Sequence, residues 1–535
     1  MFPSIRYIQI MGIRKYPIGI QDFITIRTEG YVYVDKTAHI YRLVHEGKPY
    51  FLSRPRRFGK SLLLSTLKAY FEGKKELFLE TEEQPALAAA ELEKEWLPYP
   101  VFHFDFNGEN YSVPGGLESA LDGNIRRLER AWGKNPEEIT FSARFIGLIE
   151  RAAEKTGRKV VVLVDEYDKP LLEMKNGDRR GEALDTLKPF YGVLKSADQW
   201  LKFYLITGIT KFSKVSIFSD LNQLEDISMA DSYATLCGIT QAELESRFTP
   251  DIQNLAERND MSFEKAMDEL QKRYNGYLFS KRGEKVYNPF SLLNTLKKKD
   301  FMYYWFETGT PTFLVKALAD MNYDLPSLKD SVTISASAVM DYRFDNKDPV
   351  PVLYQSGYLT IKNYDNELQE YTLGFPNGEV EYGFLNELLK AYSPWVKNGR
   401  SGLYIGSFIK DLDARNIESL MNRFRALFSG IPYPLTEQSE YHYQTLLYLV
   451  FTLMGEFAQS EAASAAGRSD MVVIRKDTVY VFEFKLSGNG TAEEALRQID
   501  SRGYLLPFSA EGKTLVKVGV EFDREKRTIG KWLEG

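Results

Sequence analysis

The segment PYFLSRPRRFGKSLLLSTLKAYF, residues 49–71, constrains what this chain can fold into more than any other stretch. It opens as a short apolar run, crosses a stiff, cationic loop and continues with helical periodicity, so it reads as strand, loop and helix. Gly59, Lys60 and Ser61 stand where the loop becomes the helix. An anion is drawn to such a junction by the amides of the first helical turn and by the helix dipole. Lys60 is then placed to reach the β- and γ-phosphates of a nucleotide, and the Ser61 hydroxyl to ligate its Mg²⁺. Leu63, Leu67, Tyr70 and Phe71 recur at i, i+4, i+7 and i+8, which gives the helix one face to lay on a sheet. The G-x-x-x-x-G-K-[ST] pattern fails at its first position, where Arg54 stands, so the loop must follow a different backbone path. Pro55, Arg56 and Arg57 stiffen it and add positive charge, and Arg57 joins Gly59, Lys60 and Ser61 as a candidate nucleotide-binding residue. Standing alone, a GKS tripeptide is also an ordinary way to begin a helix.

A second run changes that weighting. VVVLVDEYDK puts Asp165 at the carboxyl end of a buried strand, where an acid must lie to hold the Mg²⁺ of a bound nucleotide, and Glu166 next to it can polarise an attacking water. A third, FYLITGITK, ends a further strand on Thr207, with Lys211 nearby. If this strand inserts between the other two, Thr207 faces the γ-phosphate; otherwise it simply caps a strand end. His103 and Asp105, on an earlier strand, read as a hydrogen-bonded edge.

Candidate strands at 49–53, 100–106, 160–164 and 203–206 are short, apolar and separated by enough chain for crossover helices, which predicts a largely parallel, helix-covered sheet. At 535 residues the chain exceeds what one core supports. The expected fold is therefore α/β in several parts. A P-loop NTPase domain with a parallel sheet spans 11–235, and a helical, winged-helix-like lid spans 236–376. Connecting helices follow at 377–428, and a further α/β domain closes the chain at 429–535. Residues 1–10 precede the recognisable pattern, and Met11 is an alternative start.

A net charge of −6 advertises no general affinity for nucleic acid, so any such contact must come from local patches. The lone Cys237 excludes an intramolecular disulfide framework, and four scattered histidines suggest no zinc site. No apolar stretch is long enough to cross a bilayer and the start lacks a signal peptide's order, so a cytoplasmic protein with no membrane partner is expected.

The segments YPIGIQDF, YVYVDKT, SRPRRFGKS, VVLVDEYDKPL, TGITKFSKVSIFSDLNQLEDIS, YNGYLF, VYNPFSLL and YWFETGTPTFL resemble the AAA-ATPase-like family of bacterial proteins, over roughly residues 15–375. The PRRxGKS form of the loop is also similar to archaeal-type ATPases of the STAND group. In that family an arginine at the position of Arg54 is normal. The resemblance implies ATP binding through Gly59, Lys60 and Ser61, with Asp165 and Glu166 in the metal and water roles. It designates no arginine finger.

Near the C-terminus, GRSDMVVIRKDTVYVFEFKL reads as two strands around a turn at RKDT. Glu483 and Lys485 share one face of the second strand, while Phe482, Phe484 and Leu486 share the other. Asp470 begins the facing strand, so a hairpin brings two carboxylates and a lysine together, a set able to hold Mg²⁺ and stabilise charge on a scissile phosphate. Thr491 and Glu494 form a capping-box pattern for a helix carrying Gln498. An E-x-K pattern is also common on an exposed strand face. The order of elements resembles the PD-(D/E)xK nuclease superfamily, which implies a restriction-endonuclease-like fold for 429–535, Asp470 and Glu483 as ligands of Mg²⁺ or Mn²⁺, Lys485 as the catalytic lysine and Gln498 as an accessory residue. Glu440 and Glu461 are candidates for a further acid, and the Ala/Ser-rich run SEAASAAGR departs from the β-rich lead-in that such a site usually has. The expected function is an ATPase coupled to a metal-dependent nuclease acting on nucleic acid, DNA ahead of RNA, with a role in defence or mobile-element biology. The alternative is a nucleotide-dependent switch whose C-terminal domain binds nucleic acid without cutting it. A homo-oligomer is compatible with either.

Overall fold

The structure, a computed structural model, describes residues 14–81, 84–174, 177–211, 223–305, 314, 318, 328, 332–340, 348–392, 401–429, 446–447, 449–454, 463–464, 467–468, 471–475, 477–509 and 512–535. The chain divides into two compact units. The first comprises Met1–Trp305 with Ser331–Asn377, the second Phe306–Asp330 with Gly378–Gly535.

The first unit is built on a parallel five-stranded sheet. Its strands are β1 (Pro49–Ser53), β2 (Val101–Asp105), β3 (Val160–Asp165), β4 (Leu201–Gly208) and β5 (Glu225–Asp226), in the spatial order β2-β3-β4-β1-β5. Every residue of β3 is buried, as expected of a central parallel strand covered by helices on both faces. The crossover helices are Gly116–Trp132 and Phe141–Thr156 before β3 and Gly177–Ser196 before β4. Phe104 of β2 packs on Phe145 and Phe190 at centroid distances of 4.9 and 5.3 Å, which ties the edge of the sheet to two of these helices. β4 lies between β1 and β3, so the tips of the three strands that carry the motifs are neighbours.

The same unit continues through a helical layer and a β wing. The helices Gln241–Arg258, Phe263–Tyr274 and Pro289–Lys298 close around Leu244, Phe248, Leu255, Leu270 and Leu292. The first begins with a complete capping box between Thr240 and Glu243. The short strands β6 (Ile239–Thr240) and β7 (Val286–Tyr287) pair antiparallel beside them. The helix Val350–Gln355 leads into an antiparallel wing in which β8 (Val332–Ser335), β9 (Thr360–Asp365) and β10 (Glu370–Gly374) run in the order β8-β10-β9.

In the second unit, helices at Gly378–Tyr392, Ser401–Asp413 and Ile417–Ser429 precede a mixed sheet. Two short strands, β11 (Ala463–Ser464) and β12 (Gly467–Arg468), pair antiparallel, so the Ala/Ser-rich run does carry strand structure. The main sheet is β13 (Met471–Ile474), β14 (Thr478–Leu486), β15 (Thr514–Asp523) and β16 (Thr528–Glu534), in that order, with only the β14–β15 pair parallel. Phe482 meets Phe451 at 5.2 Å on one face, while Val479, Val481 and Ile499 of the helix Ala492–Ser501 share a core on the other. β14 is therefore covered on both faces, and Thr478–Glu483 are all buried. Among the described residues no helix is long and apolar enough to cross a membrane.

Candidate active sites

The phosphate-loop helix, Lys60–Phe71, starts at Gly59, whose φ of 93° is left-handed. Nothing lies within 4 Å of where a Cβ would sit, so glycine is required here by backbone angle rather than by space. Arg57 takes the loop's other positive φ, 68°, and its guanidinium lies over the Phe290 ring at 4.9 Å. Ser61 is half-buried in the first turn.

Arg54 explains how the loop manages without its first glycine. It is 1% exposed and its φ is not positive; the left-handed turn has moved to Arg57 and Gly59. Its fork donates to the carbonyls of Ser53 and Ser228 at 2.9 and 2.7 Å and of Tyr233 at 3.0 Å, and lies 4.2 Å from the Phe279 ring centre. The rest of the loop is held in the same way. Phe58 packs edge-on to Tyr277 and Phe279, and Trp305 donates from Nε1 to the Arg56 carbonyl at 3.2 Å. Gly357, with φ 89°, lies so close to Pro55 that a Cβ would stand 2.7 Å from the ring.

Lys60 is 6% exposed, and its ammonium donates to the carbonyls of Arg54 at 2.8 Å and Pro55 at 3.1 Å. Burial pulls its pKa down, opposed by the charges of Glu166, Asp165 and Asp168 in that order. Burial also pushes the Glu166 carboxyl up, against the attraction of Lys60. Asp165 is 2% exposed, not a solvated strand end, and its Oδ1 accepts from the Thr207 hydroxyl at 2.8 Å. The strand order thus brings Gly59, Lys60 and Ser61 into one neighbourhood with Asp165, Glu166 and Thr207. The Thr207 hydroxyl is committed to Asp165 and to the Val164 carbonyl, 3.2 Å away. Lys211 is paired with Asp226 at 2.6 Å. Asp105 accepts from the Asn107 amide, while His103 Nε2 has no hydrogen-bond partner and burial lowers its pKa.

Two residues near this site went unnoticed in the sequence. Asp168 and Gln355 are both buried and both bonded to the loop after β4. The doubled acid in DEYD was the only signal for Asp168; Gln355 gave none.

At the C-terminal hairpin, Met471 faces Phe482 across β13 and β14. Glu483 is 2% exposed, so the E-x-K pattern is not a solvent-facing strand. Its Oε1 receives Lys485 Nζ at 3.1 Å and a short hydrogen bond from Gln498 Nε2; Lys485 also donates to Gln498 Oε1 at 2.6 Å. The helix bearing Gln498 opens with the full Thr491–Glu494 capping box. It approaches the sheet over Gly519, which pairs with Glu483; a Cβ there would be driven into the Ala492 carbonyl oxygen. Glycine at 519 therefore lets Gln498 reach the E-x-K pair, a role the sequence did not announce. Asp470, Glu440 and Glu461 lie outside the described residues. Among the described residues no group of three His, Cys, Asp or Glu side chains forms a ready metal cage.

Comparison with known proteins gives the following likenesses. Residues 17–218 match the family model for a predicted AAA-ATPase, and residues 438–532 match the PD-(D/E)XK nuclease superfamily. The uncharacterized protein in the vnfD 5′ region of Azotobacter chroococcum mcd 1 is 36% identical over 532 residues, covering 97% of this chain and 98% of the relative. A structure of the Aeropyrum pernix ORC2 protein, in ADPNP-ADP complexes, aligns with 66% of this chain and 92% of its own at 11% identity and a TM-score of 0.25, too loose a likeness to carry weight. With 36% identity to the Azotobacter protein over nearly the whole of both chains and both motif-bearing regions matched, the chain belongs to that protein's family, one of predicted AAA-ATPases carrying a C-terminal PD-(D/E)XK nuclease superfamily region.

Proposed function

We propose that the first unit binds and hydrolyses ATP and that the second cleaves nucleic acid, DNA ahead of RNA, with a divalent metal. The observation that carries the reading is the buried ammonium of Lys60 opposed by the carboxylates of Glu166 and Asp165 at the tip of β3. Burying these charges is costly, and packing alone gives no reason for it. The residues suit a magnesium nucleotide: the left-handed turn at Gly59 points a helix start at the phosphates, Lys60 reaches them, and Ser61 and Asp165 are oxygen donors. A magnesium ion held by Ser61 and Asp165 would supply charge neutralisation at the phosphates. Lys60 exchanges its two loop carbonyls for phosphate oxygens, Thr207 keeps Asp165 oriented, and Glu166 accepts the proton of the attacking water.

In the second unit Glu483, together with Asp470, would hold Mg²⁺ or Mn²⁺, which supplies an activated water and charge neutralisation. Lys485 stabilises the charge that builds on the phosphate, and Gln498 keeps the lysine and Glu483 in line. A role against foreign DNA or in mobile-element biology belongs to the same proposal. The test is incubation of the purified protein with plasmid, linear DNA and RNA, with and without ATP, in Mg²⁺ or Mn²⁺. Metal-dependent cleavage that responds to ATP is expected. Binding without cleavage under every condition would leave a nucleotide-dependent switch, which two donors on one Glu483 oxygen also suit.

A further inference from the structure

Asp168 has no part in the chemistry above, yet it is the most deeply buried carboxylate near the strand tips, at 0% exposure. One of its oxygens, Oδ2, accepts three hydrogen bonds from the loop after β4: Ile209 N at 3.0 Å, Thr210 N at 2.7 Å and Thr210 Oγ1 at 2.8 Å. The other, Oδ1, has no partner. It lies against Gly208, where a Cβ would come within 2.7 Å of it and 2.6 Å of the Tyr167 ring. The loop is therefore pressed onto Asp168 as well as bonded to it.

The contact closes a longer network. Tyr167 donates from its amide to the Thr207 carbonyl at 3.1 Å and from its hydroxyl to the Thr210 carbonyl at 2.8 Å. On the other side, Ser53 Oγ donates to the Ile209 carbonyl at 2.6 Å and the Arg54 amide to the Gly208 carbonyl at 3.2 Å. The loop 208–210 is thus the layer between the tip of β3 and the start of the phosphate loop. One residue further on, the Lys211 amide donates at 2.7 Å to Gln355 Oε1, and Gln355 Nε2 reaches the Val339 carbonyl at 3.3 Å. Gln355 closes the helix that leads into the wing.

We propose that Asp168 is a positioning residue: through Ile209 and Thr210 it fixes the loop that aims Thr207 at Asp165, and through Lys211 and Gln355 it ties that geometry to the wing. A carboxyl suits the place because one of its oxygens can accept from three converging donors, which an amide oxygen can do in large part and a methyl cannot. The proposal rests on the nucleotide reading of the neighbouring residues for its catalytic consequence, but its structural content does not.

The test uses the full-length protein as wild type, Asp168→Ala, Asp168→Asn, Thr210→Val and Gln355→Ala. Nucleotide affinity is measured by calorimetry, turnover by steady-state kinetics and amide exchange at 205–211 and 352–358 by mass spectrometry. Asp168→Ala should lower kcat about 100-fold, the scale of a misplaced catalytic geometry, with nucleotide affinity changed less than about 3-fold. Asp168→Asn should recover most of the loss, and Thr210→Val, which keeps the acid, should fall between. Exchange at 352–358 should rise in Asp168→Ala and in Gln355→Ala. Wild-type turnover in Asp168→Ala, equal loss of affinity and kcat, or failure of the asparagine to rescue would each overturn the proposal. If the wild type neither binds nor hydrolyses ATP, the nucleotide reading fails instead, and exchange alone decides: loosening at 205–211 that does not reach 352–358 overturns the link to the wing. If Asp168→Ala does not fold, Thr210→Val and Asp168→Asn carry the same comparison.

Discussion

The two candidate sites hold their charged groups by different means. At the tips of β1, β3 and β4 the main chain does most of the holding: Lys60 bonds to two loop carbonyls, Arg54 to three, and Tyr167 stitches one tip to the next. At the C-terminal hairpin three side chains, Glu483, Lys485 and Gln498, hold one another. A frame of main-chain bonds survives the loss of one functional side chain, so substitutions there should separate chemistry from folding. A set of side chains that hold one another does not, so losing one member should disturb the other two.

The largest effect is expected at the hairpin. Glu483→Gln should reduce metal-dependent cleavage by about three orders of magnitude, because a neutral amide is a poor ligand for a hard cation. Nicking assays in Mn²⁺ at wild-type rate would mean that the cleavage comes from elsewhere. Glu166→Gln should come next, lowering ATP turnover by about 10²–10³-fold while ATP still binds, since the amide keeps the shape and loses the proton acceptor. A matching loss of affinity would make Glu166 a binding group.

Lys60→Ala should weaken nucleotide binding by about 100-fold, the scale of removing one member of a buried charge pair. Its melting temperature should hold or rise, because an ammonium with no carboxylate in hydrogen-bond contact is costly to bury. A large fall would mean that the ammonium holds the loop together and would erase the contrast between the sites. Gln498→Ala should cost cleavage about 10–100-fold, as second-layer partners of metal ligands do. Its loss should also loosen Lys485, which a side-chain NMR probe of the ammonium would register.

The smallest effect is in the pH profile of kcat/KM for ATP, which reports the free enzyme. Glu166 must be ionised to accept a proton, and its pKa is raised, so turnover should begin to fall, as pH drops, above the ordinary carboxylate range. Lys60 must be charged, and its pKa is lowered, so the alkaline limb should begin below the ordinary lysine range. The window is narrowed from both sides, and limbs at the ordinary values would show that these groups are better solvated than their burial implies.

How much of this was legible in the sequence follows the same division. The four main strands of the first unit fall within two residues of the expected places, because buried parallel strands are continuous apolar runs and crossover helices are periodic. The insertion of β4 between β1 and β3 was one of two readings that FYLITGITK left open. At the hairpin, alternation placed Glu483 and Lys485 on one face, but it did not reveal that β14 is covered on both sides, which depends on helices distant in sequence. Nor did it reveal Gly519, whose importance lies in a close approach between two elements. Gln355 and the anchoring of Arg54 were invisible, and Asp168 barely legible, for a related reason: most of their partners are main-chain atoms of other segments, and main-chain atoms leave no pattern in a sequence.

The guanidinium of Arg54 sets a constraint on how this family can vary. A fork of planar donors spans the Ser53, Ser228 and Tyr233 carbonyls while lying 4.2 Å from the centre of the Phe279 ring, and a lysine, with one rotatable ammonium, cannot span them. Restoring glycine would recover the familiar motif and take the donor from the Ser228 carbonyl, at about 1–3 kcal/mol if it is left dry, while the Tyr233 carbonyl keeps the Leu236 amide at 3.2 Å. Position 54 can therefore drift neither to lysine nor back to glycine by a single step, unless Phe279 and the 228–233 segment change with it.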